Sequence, residues 1–183
     1  MAEPPVPPVA TRWVTRANAL TTLRLAAVPL LALAVTEEEA VAAFGLFWLA
    51  VATDLLDGRV ARHYGEVSAL GGLLDHATDT LFVIVGLGAF ACRGEVPVVL
   101  PWMIAGAFIQ YTLDSRALRG RPLRTSQLGR WNGIAYFVLL GVPVVRDGLG
   151  LGWPPHGVVS LLGWLLVATT ALSMADRLAA LRR

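Results

Sequence analysis

The chain has 183 residues, 56% of them hydrophobic and only 15% charged, with a mean hydropathy of +0.63. That balance excludes an ordinary soluble domain and points to a single-domain integral membrane protein with no nucleic-acid partner. The net charge is +2, all fifteen basic residues are arginine, and the lone Cys92 forbids an internal disulfide.

Residues 1–16 are expected to form a tail and an interfacial helix. Residues 1–11 are rich in proline, and Thr11–Arg16 (TRWVTR) sets arginines beside a tryptophan, as at a membrane surface. Residues 17–183 are expected to fold as an all-α bundle of six transmembrane helices. The first spans about Ala17–Val35 and is interrupted by Arg24. Ala32-Leu33-Ala34 imitates a signal-peptide cleavage site, but the proline-rich start and Arg24 argue against that reading. Glu37, Glu38 and Glu39 make an acidic loop before a second helix, Ala40–Leu56. Arg59, Arg62, His63 and Tyr64-Gly65 mark a turn, and Gly71–Ala91 is the third helix. Arg93-Gly94-Glu95 is a turn before the fourth helix, Val96–Leu113. A basic loop, Arg116–Arg130, leads to a fifth helix at Asn132–Val145. A Gly/Pro loop, Arg146–Pro155, precedes the sixth at Gly157–Ala175.

Six spans put both termini, the 2–3 turn and the 4–5 loop on one side. Those segments, taken with the entry of the first helix, hold every arginine except Arg93 and Arg146. The positive-inside rule assigns that side to the cytoplasm of a bacterial-type inner membrane.

The stretch from Asp54 to Asp79 (DLLDGRVARHYGEVSALGGLLDHATD) concentrates the chemistry. Asp54 and Asp57 are i,i+3 partners, and Asp75 and Asp79 are i,i+4 partners, so each pair shares one helix face. Gly58 and Ala61 extend the first face and Gly71 extends the second. Two such faces turned together place four carboxylates around one point. Their mutual repulsion calls for a hard divalent cation, Mg²⁺ or Mn²⁺. Capping or arginine pairing is the plainer reading of one aspartate at a helix end. It fits Asp75 and Asp79 poorly, because they lie inside an apolar run, where each charge costs about 2.5–3.5 kcal/mol.

The spacing Asp54-xx-Asp57-Gly58-xx-Ala61-Arg62, eight residues, Gly71-xxx-Asp75-xxx-Asp79 resembles the signature of the CDP-alcohol phosphotransferase family at every fixed position. The resemblance implies a membrane enzyme, often a homodimer, that displaces CMP from a CDP-alcohol with a hydroxyl acceptor and makes a phospholipid. It implies Asp54, Asp57 and Asp75 as metal ligands and Asp79 as metal ligand or base. Gly58, Ala61 and Arg62, with Gly71 on the facing helix, would line the donor site. Glycine lets a nucleotide approach the backbone closely, and arginine offers two donors to a phosphate.

Three other residues bear on the substrate. Asn18–Arg24 (NALTTLR) resembles the first helix of members that use CDP-diacylglycerol, with Arg24 facing the site; a snorkelling arginine is the plainer reading. Arg130 stands where glycerophosphate-using relatives carry Gly-Lys-x-Lys, but the second lysine is missing here. His76 in Asp75-His76-xx-Asp79 resembles choline and ethanolamine phosphotransferases and is a candidate base, against the plainer reading of a satisfied helix histidine. The main expectation is CDP-choline or CDP-ethanolamine donating to diacylglycerol. The alternative is CDP-diacylglycerol donating to a polar alcohol such as glycerol 3-phosphate. A reading from another class is a metal-ion transporter with the aspartates as its ion path. Gly58 and Arg62, at a helix end, suit a nucleotide better.

Overall fold

The computed structural model describes residues 16–64, 69–114 and 127–181, and these form six helices with no strand among the described residues. They are α1 (Arg16–Thr36), α2 (Ala40–His63), α3 (Ala69–Cys92), α4 (Val99–Asp114), α5 (Gln127–Gly148) and α6 (His156–Leu181). Five are long and apolar enough to cross a membrane, and α4 is a shorter apolar helix. At 1.5 Å per residue the five reach about 32–39 Å, which exceeds a hydrocarbon core of about 30 Å. The expected all-α, multi-pass membrane bundle is therefore what the chain forms. The expected interfacial helix before Arg16, and the loop arginines Arg116, Arg119, Arg121 and Arg124, lie outside the described residues.

Several boundaries differ from the apolar runs. Helix α2 does not end at Leu56 but continues to His63, so Arg59, Arg62 and His63 are helical rather than a turn. Helices α5 and α6 likewise outrun their apolar segments, and Arg146 is helical. A helix continues into the hydrated membrane edge as long as its residues are good helix formers, and arginine is one. Helix α4 starts three residues later than expected, because Pro97 disfavours helical geometry at the residue before it.

Helices α1, α3 and α5 end alike, at the pole away from the aspartates. The Glu95 N–H donates to Phe90 O and that of Gly94 to Ala91 O, while Gly94 takes φ +76°. Leu151 and Gly150 repeat the pattern on Arg146 and Asp147, with Gly150 at φ +63°. Glu39 and Glu38 repeat it on Ala34 and Val35, with Glu38 at φ 60°. Each is a Schellman closure that satisfies the last carbonyls and folds the chain back under the helix.

The helices form a closed ring in the order α1, α2, α5, α6, α4, α3, with α3 also touching α5 across the middle. Leu31, Phe47, Phe82, Leu87, Phe90, Leu100, Leu140 and Val144 fill the interior. Gly86 allows a close approach of α3 to both neighbours: a Cβ there would fall 2.8 Å from Leu140 Cδ1 and 3.1 Å from Leu31 Cδ2. Small residues at such crossings are how membrane helices come together. Outward-facing side chains are equally apolar, including Leu30, Leu33, Trp102, Val138 and Leu161, as a lipid-facing surface requires.

A buried ionic cluster ties the pole opposite the aspartates. Glu95, fully buried, receives Arg146 Nη2 at 2.6 Å and lies 3.1 Å from Arg93 Nη2. Arg146 Nε donates to Asp147 at 2.7 Å, and Arg93 reaches Asp147 at 3.5 Å and Val35 O at 3.4 Å. His156 Nδ1 lies 3.6 Å from Glu95. The cluster joins the ends of α1, α3 and α5 to the start of α6.

Candidate active site

The other pole carries the aspartates, and the periodicity of each helix explains why they converge. The buried residues of α1 are Thr21, Arg24, Ala27, Val28, Leu31, Ala34 and Val35, a stripe at i,i+3,i+4 spacing. Arg24 lies on that stripe and is 1% exposed. On α2 the stripe Ala43, Phe47, Ala50 and Thr53 ends in Asp57. On α3 Asp75 and Asp79 sit above Phe82 on the face turned to α1.

Arg24 joins all four carboxylates. Its Nη2 donates to Asp57 Oδ2 at 2.6 Å and lies 3.4 Å from Asp54 Oδ1. Its Nη1 donates to Asp75 Oδ1 at 2.8 Å and to Asp79 Oδ1. The structure thus brings Arg24, expected to face the site, together with the four aspartates. Asp54, Asp57 and Asp75 each offer an oxygen within 4.8 Å of the others, and Asp79 is outside that set. Three hard carboxylate oxygens at that separation fit a divalent cation. The cluster also retains net negative charge, since one arginine balances one carboxylate of four.

The remaining expected residues divide into three groups. Gly58 follows Asp57 on α2, half-buried, and Gly71 lies one turn before Asp75 on α3. Ala61 and Arg62 continue α2, and their side chains are outside the described residues. His76 and Arg130 are not among the residues bonded to Arg24. Both line a cavity of about 370 Å³ between α3, α4, α5 and α6.

Asp79 is the residue that the aspartate cluster and this cavity share. The cavity wall mixes apolar side chains such as Val83, Ile104 and Phe137 with Thr80, Gln110, Asn132, Tyr136, Thr170 and Ser173. Tyr136 and Thr170 share a hydroxyl bond of 2.5 Å. Gln110 Nε2 donates to Met174 O at 3.1 Å, while its buried Oε1 has no hydrogen-bond partner among the described residues. Arg130 on α5 and Arg177 on α6 complete the lining, with Arg177 over the Tyr111 ring at 4.9 Å. His76 packs on Phe108 and Tyr111, with ring centroids at 5.6 and 5.4 Å.

The sequence reading missed Gln110, Asn132 and Arg177. A signal was present for the first two, which are amides inside apolar helices, where polar groups are costly. Arg177, just beyond the sixth apolar run, carried no such signal.

The molecule is thus a polytopic membrane protein with a carboxylate site at one pole that communicates with a mainly apolar cavity bearing several polar groups. The chain matches the CDP-alcohol phosphatidyltransferase family over residues 14–175, and it belongs to that family. It is similar to the human cardiolipin synthase (CMP-forming), 36% identical over 109 residues, which are 59% of this chain and 36% of that enzyme. A probable phosphatidylglycerophosphate synthase of Mycobacterium tuberculosis is 26% identical over 170 residues, 89% of this chain and 79% of that protein. The Arabidopsis thaliana CDP-diacylglycerol–glycerol-3-phosphate 3-phosphatidyltransferase 2 is 31% identical over 129 residues, 67% of this chain and 52% of that enzyme. The chain spans little more than a third of the human enzyme's length.

Proposed function

We propose that the chain transfers a phosphatidyl group from CDP-diacylglycerol to the hydroxyl of a polar alcohol, with release of CMP. The observation that carries this reading is Asp79, which belongs both to the carboxylate cluster and to a cavity lined by neutral hydrogen-bonding groups and two arginines. The arginines, amides and hydroxyls of the cavity's otherwise mainly apolar wall can hold the anionic group of a polar acceptor. The relatives support the same choice: the plant enzyme's name specifies CDP-diacylglycerol and glycerol 3-phosphate, and the human enzyme's name specifies CMP formation. The main expectation drawn from Asp75-His76, CDP-choline or CDP-ethanolamine with diacylglycerol, gives way to its alternative. His76 is one residue, its ring packs on two aromatic rings, and a histidine beside Asp75 is a weaker guide than similarity over most of the chain.

In this reading Asp54, Asp57 and Asp75 hold Mg²⁺ or Mn²⁺, which when bound neutralises the donor's diphosphate and polarises the phosphoryl oxygen. Gly58, Ala61 and Gly71 leave room for the nucleotide, and Arg62 clamps a phosphate. Arg130 and Arg177 draw the anionic part of the acceptor into the cavity. Asp79 accepts the hydroxyl proton through the oxygen not engaged by Arg24, and His76 shapes the wall beside it. The acceptor oxygen forms its bond to phosphorus as the bond from phosphorus to the CMP oxygen breaks. The site faces the cytoplasm of a bacterial-type inner membrane, and the protein works as a homodimer, a state that chemical cross-linking in membranes checks.

The test is a panel assay on the purified protein with Mg²⁺ or Mn²⁺. CDP-diacylglycerol, CDP-choline and CDP-ethanolamine are crossed with glycerol 3-phosphate, phosphatidylglycerol and diacylglycerol, reading CMP and lipid product. CMP release with CDP-diacylglycerol and a polar acceptor is the expected result. Turnover only with CDP-choline or CDP-ethanolamine and diacylglycerol would overturn it.

A further inference from the structure

We infer that Arg24 is an exchangeable counter-ion of the aspartate cluster: it yields Asp57 and Asp75 when a divalent cation binds and keeps Asp79. The inference rests on the reading of Asp54, Asp57 and Asp75 as a metal site.

Three observations support it. Arg24 is 1% exposed, yet its Nε is buried with no hydrogen-bond partner among the described residues. A guanidinium carries five donors, and a buried donor left unsatisfied is costly. The side chain is thus held at the outer edge of its fork by carboxylates, without a full set of partners to lock it there. Second, the residues it binds at 2.6 and 2.8 Å, Asp57 and Asp75, are two of the three whose oxygens lie within 4.8 Å of one another. A cation of Mg²⁺ size sits about 2.0–2.1 Å from such oxygens, so cation and guanidinium seek the same ground. Third, Asp79 is bonded to Arg24 but is outside the triad. Arg24 therefore has a partner that a triad-bound cation does not claim.

Electrostatics gives the direction. Four carboxylates and one guanidinium leave a net charge of −3 on the cluster. Before a cation arrives, Arg24 is the one positive group bonded to these carboxylates among the described residues. Once a divalent cation sits on the triad, two positive centres lie within a few ångströms, and their repulsion at low dielectric disfavours keeping both on Asp57 and Asp75. Retreat to Asp79 keeps the guanidinium paired and fixes the orientation of that carboxylate beside the cavity. Arg24 is in this sense a positioning residue, with cation affinity as the quantity it sets.

The test measures Mn²⁺ binding to the purified full chain in detergent, by the electron paramagnetic resonance signal of free Mn²⁺, with no nucleotide and no turnover. Arg24→Gln should bind Mn²⁺ at least tenfold more tightly than wild type. Its thermal midpoint in EDTA should fall below the wild-type value, and Mn²⁺ should raise it by more than it raises wild type. Arg24→Lys keeps the charge on a compact ammonium without the planar fork, so its affinity should rise at least threefold. It carries the test if the glutamine variant does not fold. Unchanged or weaker Mn²⁺ binding in the variants, with wild type binding normally, overturns the inference alone. Wild type that binds no Mn²⁺ overturns the metal-site reading and the inference with it, and Asp57→Asn provides the reference for lost binding.

Discussion

Asp57 is the most enclosed of the four carboxylates, 7% exposed against 46% for Asp54, 35% for Asp75 and 32% for Asp79. Asp57→Asn preserves its shape and removes its charge, so turnover should fall at least a hundredfold, with EDTA producing the same loss in wild type. CMP release within a few-fold of normal from the mutant would refute a metal-centred site. The proposed base separates from its neighbour in the same way. General-base catalysis contributes about 10²–10⁴-fold, so Asp79→Asn should lower kcat by at least 10² and His76→Ala by less than tenfold. The opposite ranking would return the base role to His76. The aspartates were legible in the sequence because helical spacing alone sets which side chains share a face. Apolar periodicity did not make the burial of Arg24 legible, because α1 shows no clear apolar face, and only the NALTTLR resemblance turned that residue toward the site.

At the level of elements, six helices and their order could be read from apolar runs and the charged turns between them. Their ends could not, since hydropathy marks the lipid boundary whereas hydrogen bonding marks the helix boundary, and the two part company at α2 and α5. The crossing of α3 with α1 and α5 also stayed hidden, because the sequence does not mark which of its many glycines meet a neighbouring helix. Gly86→Val tests that crossing. Side-chain atoms would meet Leu140 and Leu31, and overpacking of this kind costs about 1–3 kcal/mol. A lowered thermal midpoint in detergent is expected, and an unchanged midpoint would show that the helices shift freely. The cavity was illegible for a related reason: Gln110 and Asn132 come from different helices, and only the ring order brings them to one wall.

The whole molecule has two unlike poles. Among the described residues, arginines at the carboxylate end outnumber those at the other, where Arg93 and Arg146 are already neutralised by Glu95 and Asp147. The proposed orientation follows from that asymmetry, and Cys92, exposed at the sparse-arginine pole, reports on it. A membrane-impermeant maleimide should label Cys92 in intact cells. A cysteine introduced at Ser126 in a Cys92→Ser background should react only after the cells are opened. The reverse pattern would place the carboxylates on the outer face.

The Glu95–Arg146 pair also bears on how the chain is made. Glu95 leaves the ribosome 51 residues ahead of Arg146, so the α3–α4 hairpin reaches the membrane with a carboxylate whose principal partner has not been synthesised. Arg93 alone attends it until α5 arrives. Removing one member of a buried pair costs about 3–5 kcal/mol, so nascent chains stopped after α4 should be recognised as unassembled and cleared by membrane proteases, whereas chains stopped after α5 should persist. Pulse-chase of the two truncations measures this, and equal lifetimes would show that assembly does not wait for Arg146. Unequal lifetimes would make the far pole a checkpoint in biogenesis, met before α6 closes the cavity.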